Sequence, residues 1–141
     1  MNRQILLGNE AVARGAIDAG ISGVYAYPGT PSTEIFEYIR SRSAKENLGI
    51  HARWSTNEKV AYEEALGMSY GGLRALVSFK HVGLNVAADP YISSAISGIH
   101  GGLMLAVADD PSMHSSQNEQ DSRFYAGFAQ IICYEPADQQ Q

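Results

Sequence analysis

The side chains able to do chemistry in this sequence lie just past short apolar runs. Thr30 sits in "YPGTP", Glu58 in "WSTNEK", Lys80 and His81 in "FKHVG", and Asp109, Asp110 and His114 in "ADDPSMHS". A carboxyl group can share or move a proton, a lysine can hold an anion, and a histidine can do either near neutral pH. Each residue also has a structural reading. Thr30 suits a helix N-cap, with Pro31 at the first helical position and Glu34 at the positive end. Ser55 and Glu58 have capping-box spacing, S-x-x-E. Lys80 reads equally well as a solvated charge, and a single histidine is more often structural than catalytic. Asp109 and Asp110 could bind a metal, but Asp-Pro is ordinary turn chemistry at the end of a strand.

The turn around Gly29 and Thr30 is not a phosphate cradle. Neither G-x-x-x-x-G-K-[ST] nor G-x-G-x-x-G occurs, and the turn holds one glycine. A helix N-terminus there could still receive a carboxylate or a carbonyl oxygen.

Strands and helices must position these residues, and the pattern alternates throughout. Apolar spacing predicts helices over 8–20, 30–47 and 57–72, a helix with a proline interruption over 82–98, and a helix over 117–129. Strands are expected over 23–27, 50–56, 74–80, 102–110 and 130–135. After the last of these, "EPAD" reads as the entry to another helix. The run "GLMLAVA" is continuously apolar, as an inner strand of a parallel sheet would be. The expected fold class is therefore α/β, a three-layer domain with a mainly parallel sheet and helices on both faces. In such folds ligands sit beyond the carboxyl ends of the strands, here at "YPGT", "STNE", "FKHVG" and "ADDPSMHS". The helix after Glu58 is rich in small residues (Ala61, Ala65, Gly67, Ser69, Gly71, Gly72), which permit close approach to a backbone, a partner or a flat ligand. A carboxylate opening such a helix is a candidate functional acid.

Bulk composition excludes several classes. The 141 residues carry a net charge of −5 and no basic stripe, against a nucleic-acid partner. No apolar run approaches the ~20 residues of a membrane helix. The single cysteine, Cys133, excludes an internal disulfide framework or an all-cysteine metal site within these residues. A cytoplasmic location is expected, and residues 1–141 read as one domain cut from a longer polypeptide.

Four stretches carry a resemblance: "LLGNEAVARGAIDAG", "YPGTPSTEI", "NEKVAYEEALGMSYGGLRALVSFKHVGLNVAADP" and "VADDPSMHSSQNEQDSR". In this order they resemble the N-terminal part of the α subunit of indolepyruvate:ferredoxin oxidoreductases, within the 2-oxoacid:ferredoxin oxidoreductases. The resemblance implies a pyrimidine-binding (Pyr) domain of a thiamine diphosphate enzyme. It places Glu58 at N1′ of the thiamine aminopyrimidine, where a shared proton activates the cofactor. It places Thr30 and Gly29 beside the substrate, and Lys80, His81 and Gly83 on the loop near the thiamine ring. His81 is then a second candidate for proton transfer and His114 a weaker one. The implied reaction is oxidative decarboxylation of an aryl 2-oxoacid, with coenzyme A taking the acyl group and ferredoxin the electrons.

Two departures accompany the resemblance. No arginine occurs between Arg74 and Arg123, where pyruvate-specific relatives place a partner for the substrate carboxylate. Lys80, His81 or the helix N-terminus at Thr30 could serve instead. No G-D-G segment and no cysteine set occurs either, so Mg²⁺ and iron–sulfur clusters are expected on other domains. The chain would be one wall of a site completed by the rest of the α subunit or a β subunit, in an oligomer, and inactive alone. A non-catalytic assembly or scaffold module that retains the fold is the alternative. A generic nucleotide-binding domain is disfavoured by the missing phosphate loop.

Overall fold

A computed structural model describes residues 5–138. The chain alternates as expected: α1 (Gly8–Asp18), β1 (Gly23–Ala26), α2 (Thr33–Glu46), β2 (His51–Trp54), α3 (Glu58–Tyr70), β3 (Arg74–Lys80), α4 (His81–Val86), α5 (Ala88–Ser97), β4 (Gly102–Ala108) and α6 (Arg123–Ala129). The four strands form one parallel sheet in the order β2-β1-β3-β4. Side chains alternate between its faces. Val24, Ala26 and Leu76 point to one side, where Ala13, Ala16, Ile35, Phe36 and Ile39 of α1 and α2 cover them. Tyr25, Ala75, Val77 and Phe79 point to the other, under Ala61, Tyr62 and Ala65 of α3 and Tyr91 of α5. The result is the three-layer α/β architecture expected of the sequence.

Several elements differ from expectation. β4 is an edge strand rather than an inner one. It pairs only with β3 among the described strands, and most of it is half-exposed. Residues 130–135 form no strand. Gln130 takes the left-handed conformation (φ 56°) and closes α6, and the Ile131 amide bonds back to Ala126. The apolar run that follows is exposed, with Ile132 at 78%. Strand propensity is expressed only against an available edge, and this segment does not reach one. No helix begins at "EPAD" within the described residues. α6 starts at Arg123, not 117, because 117–122 are held across the strand ends by side-chain bonds.

The helical stretch after β3 breaks at Ala87, three residues before Pro90. Pro90 then lies in the first turn of α5, where no amide donor is required. α2 starts at Thr33 with Ser32 as its N-cap residue, so Thr30 is not the cap and Pro31 is not helical. The small residues Ala61, Ala65 and Ser69 are fully buried on the domain's own sheet, while Gly67, Gly71 and Gly72 are exposed. The close approach that they permit is therefore to β1 and β3. No helix among the described residues is long and apolar enough to cross a membrane.

Candidate functional site

Because all strands are parallel, the loops after β1, β2, β3 and β4 share one edge of the sheet. α3 leaves β2, passes over β1 and packs on β3, which brings its first residue to the start of α4. That first residue is Glu58. Asn57 caps the helix by accepting the Val60 amide at 2.9 Å. Ser55 is buried and donates instead to Glu64, at 2.5 Å. The S-x-x-E capping box is therefore not formed. Glu58 is the first helical residue rather than the third, so its carboxylate does not serve the cap.

Glu58 lies against Gly83. A Cβ at Gly83 would come within 2.5 Å of Glu58 Cγ and 2.8 Å of Oε1, so only glycine leaves room for the carboxylate. Glu58 is half-buried and has no hydrogen bond or ion pair with the described residues. Its neighbour Lys59 turns away, to Asp89 at 3.0 Å.

His81, the next predicted residue, opens α4 and is fully buried. Its Nε2 lies 2.9 Å from both the backbone carbonyl and Oδ1 of Asn118. A backbone carbonyl only accepts, so Nε2 carries the proton and Nδ1 is left as a lone-pair acceptor. That Nδ1 is buried and unpartnered among the described residues. Gln120 Nε2 donates to the His81 carbonyl (3.1 Å) and to Asn85 Oδ1 (3.1 Å).

Gly29, Thr30 and Lys80 also come together. The methylenes of Lys80 lie 3.5–3.6 Å from where a Gly29 Cβ would be. Lys80 Nζ donates to the Ser115 carbonyl at 2.9 Å, and the Ser115 hydroxyl donates to the Thr30 carbonyl at 2.9 Å. The Thr30–Pro31 peptide is cis. Within this turn the organising hydroxyls belong to Ser32, donating to the Gly29 carbonyl at 2.8 Å, and Thr33, accepting the Gly29 amide at 3.0 Å. Thr30 itself is exposed.

The adjacent aspartates serve two different stretches of backbone. Asp109 accepts from the Ser122 amide and hydroxyl, at 3.0 and 2.5 Å. Asp110 accepts from the amides of His114 (3.2 Å) and Ser115 (2.8 Å). The Ser115 amide, joined by the His114 amide and the Ser115 hydroxyl, holds Asp110 below the ordinary aspartate range. Among the described residues no three metal-ligating side chains converge. His114 contributes its backbone amide to this loop and its side chain is exposed. Sequence reasoning singled out the long polar loop but not Ser115 or Asn118, its two contacts with Lys80 and His81. Nothing in their residue type marks them among so many polar neighbours.

No family model matches the chain. It is 53% identical over 135 residues to the indolepyruvate oxidoreductase subunit IorA of Thermococcus kodakarensis, covering 96% of this chain and 21% of that protein. The IorA subunit of Archaeoglobus fulgidus is 53% identical over 138 residues, covering 96% and 22%. The 2-oxoglutarate synthase subunit KorA of Methanocaldococcus jannaschii is 34% identical over 86 residues, 61% of this chain and 23% of that one. The chain thus spans about a fifth of the length of the relatives it matches. Among solved structures, a 2-oxoglutarate:ferredoxin oxidoreductase from Magnetococcus marinus, with 2-oxoglutarate, coenzyme A and succinyl-CoA bound, superimposes with a TM-score of 0.71. It is 26% identical and the match covers 86% of this chain and 21% of that one.

Proposed function

We propose, from its similarity to about a fifth of IorA-type subunits and to a 2-oxoacid:ferredoxin oxidoreductase structure, that the chain belongs to the 2-oxoacid:ferredoxin oxidoreductases and forms the thiamine-activating wall of an enzyme for aryl 2-oxoacids, indolepyruvate first among them. The observation that carries the reading is Glu58: a half-buried carboxylate with no partner among the described residues, lodged where Gly83 has no side chain.

Thiamine diphosphate fits these residues. A free carboxylate is the group that an aminopyrimidine nitrogen needs, and the orphaned Nδ1 of His81, two residues before Gly83, is a second acceptor. When bound, the cofactor supplies the carbon nucleophile that makes decarboxylation of a 2-oxoacid possible. Glu58 would hold the ring nitrogen and share its proton. Gly83 positions Glu58 by leaving room for it. His81 keeps a proton on Nε2 and a lone pair on Nδ1, the tautomer suited to accept a proton. Lys80 and the turn at Gly29 and Thr30 receive the carboxylate end of the substrate. In the assembled enzyme, coenzyme A would take the acyl group as carbon dioxide is lost, and ferredoxin the two electrons, one at a time. Mg²⁺, the diphosphate and iron–sulfur clusters would be held by the remaining four-fifths of an IorA-length subunit and a β subunit. The exposed apolar side chains Phe124, Phe128 and Ile132 suit packing against such protein. The domain would then be the Pyr domain, residues 1–141, of an N-terminal segment.

Glu58→Gln keeps the shape of the side chain and removes its proton exchange. Turnover of indolepyruvate by the assembled enzyme should fall by roughly 10²-fold or more, the scale of general acid–base catalysis. Near-normal turnover in that variant would sink the assignment.

A further inference from the structure

Among the described residues, four cations lie toward the edge of the sheet that carries the site, and three are paired with carboxylates. Arg53 pairs with Glu64 at 3.1 Å, Lys59 with Asp89 at 3.0 Å, and Arg123 with Asp121 and Glu135 at 2.8 and 2.7 Å. Lys80 has no ion pair with the described residues. Its partner is the Ser115 carbonyl. A carbonyl oxygen directs an ammonium group without cancelling its charge, and two of the three donors stay free for an anion.

The carbonyl is itself held in place. β3 and β4 pair Lys80 with Ala108, so Asp110 emerges two residues further along the neighbouring strand. Asp110 is buried and binds the amide of Ser115 at 2.8 Å and that of His114 at 3.2 Å. The intervening turn, Pro111–Met113, places Ser112 and Met113 at φ 68° and 54°, conformations that side chains other than glycine rarely adopt. Such a turn persists only where surrounding bonds over-determine it. The Asp110 carboxylate supplies those bonds, and the same bonds hold it below the ordinary aspartate range. The Ser115 hydroxyl then ties the same loop to the Thr30 carbonyl.

We propose that Asp110 is a positioning residue: through Ser115 it holds Lys80 over Gly29, where Lys80 takes the carboxylate of the 2-oxoacid. The proposal rests on the functional reading above and names the anion partner that the missing arginine leaves open. Asp110 touches no substrate, so it acts on binding and not on the chemical step.

A double-mutant cycle in the assembled enzyme tests it, with indolepyruvate as the varied substrate. Asp110→Asn should raise KM about tenfold, the weight of a displaced charge-assisted hydrogen bond, with kcat within about twofold. Lys80→Met should raise KM at least as much. In the Lys80→Met background, Asp110→Asn should add nothing. Equal, additive effects in both backgrounds, or a fall in kcat alone, would overturn the proposal. An unchanged KM for Lys80→Met refutes Lys80 as the anion partner, while loss of turnover in Glu58→Gln still stands or falls by itself. Circular dichroism checks folding. If Asp110→Asn does not fold, Ser115→Ala, which removes the hydroxyl's bonds to the Thr30 carbonyl and Asp110 and keeps the amide bond to Asp110, takes its place in the cycle. Ser115→Thr, which restores the hydroxyl, should then recover KM, and failure to recover it counts against the proposal.

Discussion

At the scale of single residues, Glu58 shows how one position can separate a structural role from a chemical one. Ser55 and Glu58 have the spacing of a capping box, yet Asn57 does the capping and Ser55 turns to Glu64. This frees Glu58, and Gly83 supplies the space that it occupies. Gly83→Ala therefore makes a sharp prediction. The added methyl lands 2.5 Å from Glu58 Cγ, so the carboxylate must move. Alanine gains helix propensity worth up to about 1 kcal/mol, and overpacking costs about 1–3 kcal/mol. Stability measured by urea unfolding should change by no more than that difference. Thiamine-dependent turnover should fall by about 10²-fold, as for a misplaced catalytic group. A variant that loses stability but keeps full turnover would show that Gly83 does not position Glu58. The contact was not legible from sequence, because Glu58 and Gly83 are far apart along the chain and meet only when α3 crosses the sheet.

At the scale of elements, most helices and strands were legible and their ends were not. Apolar spacing located α1, α2 and α3 because each buries one face on the sheet, as Ile35, Phe36 and Ile39 do for α2. The starts of α2, α3 and α6 were set by side-chain bonds that apolar spacing does not show. Ser32 took the place expected of Thr30, and Asn57 that of Ser55. Around α6, Asn118 and Gln120 bonded to α4 in place of extending the helix. Asn57→Ala tests the cap of α3. Loss of the bond to the Val60 amide should cost about 1 kcal/mol in urea unfolding. Ser55→Ala should leave that amide's hydrogen exchange unchanged, since Ser55 bonds Glu64. Equal loss of Val60 amide protection in both variants would contradict the assignment of the cap.

At the scale of the whole molecule, two cores lie on opposite faces of one sheet. The α3/α5 side is unusual for its tyrosines. Tyr91 lies edge-on to Tyr62 and Tyr125, at ring-centroid separations of 6.0 and 6.2 Å. Burial, helped by Tyr62 and then Cys133, pushes the Tyr91 hydroxyl from 10.0 up to about 12. Folding thus favours the protonated form. The stability that this provides is complete below pH 10 and is lost as the pH rises toward about 12. Tyr91→Phe keeps the packing and removes the ionisation, so its alkaline unfolding midpoint should lie above that of the unsubstituted protein. Identical alkaline unfolding curves for the two proteins would refute this coupling.

Pattern and composition determined the alternation of strands and helices, the parallel sheet, the helices on both faces and the edge at which Glu58, Lys80 and His81 gather. These follow from local periodicity and from the rule that buried parallel strands are continuously apolar. Tertiary structure decided the rest. It set the strand order β2-β1-β3-β4 and left β4 as an edge, while residues 130–135 formed no strand. It also decided that Gly83 makes room for Glu58 and that Asp110 reaches Lys80 through Ser115. The reason is physical: propensity acts over a few residues, whereas these contacts join segments brought side by side only by packing on a common sheet.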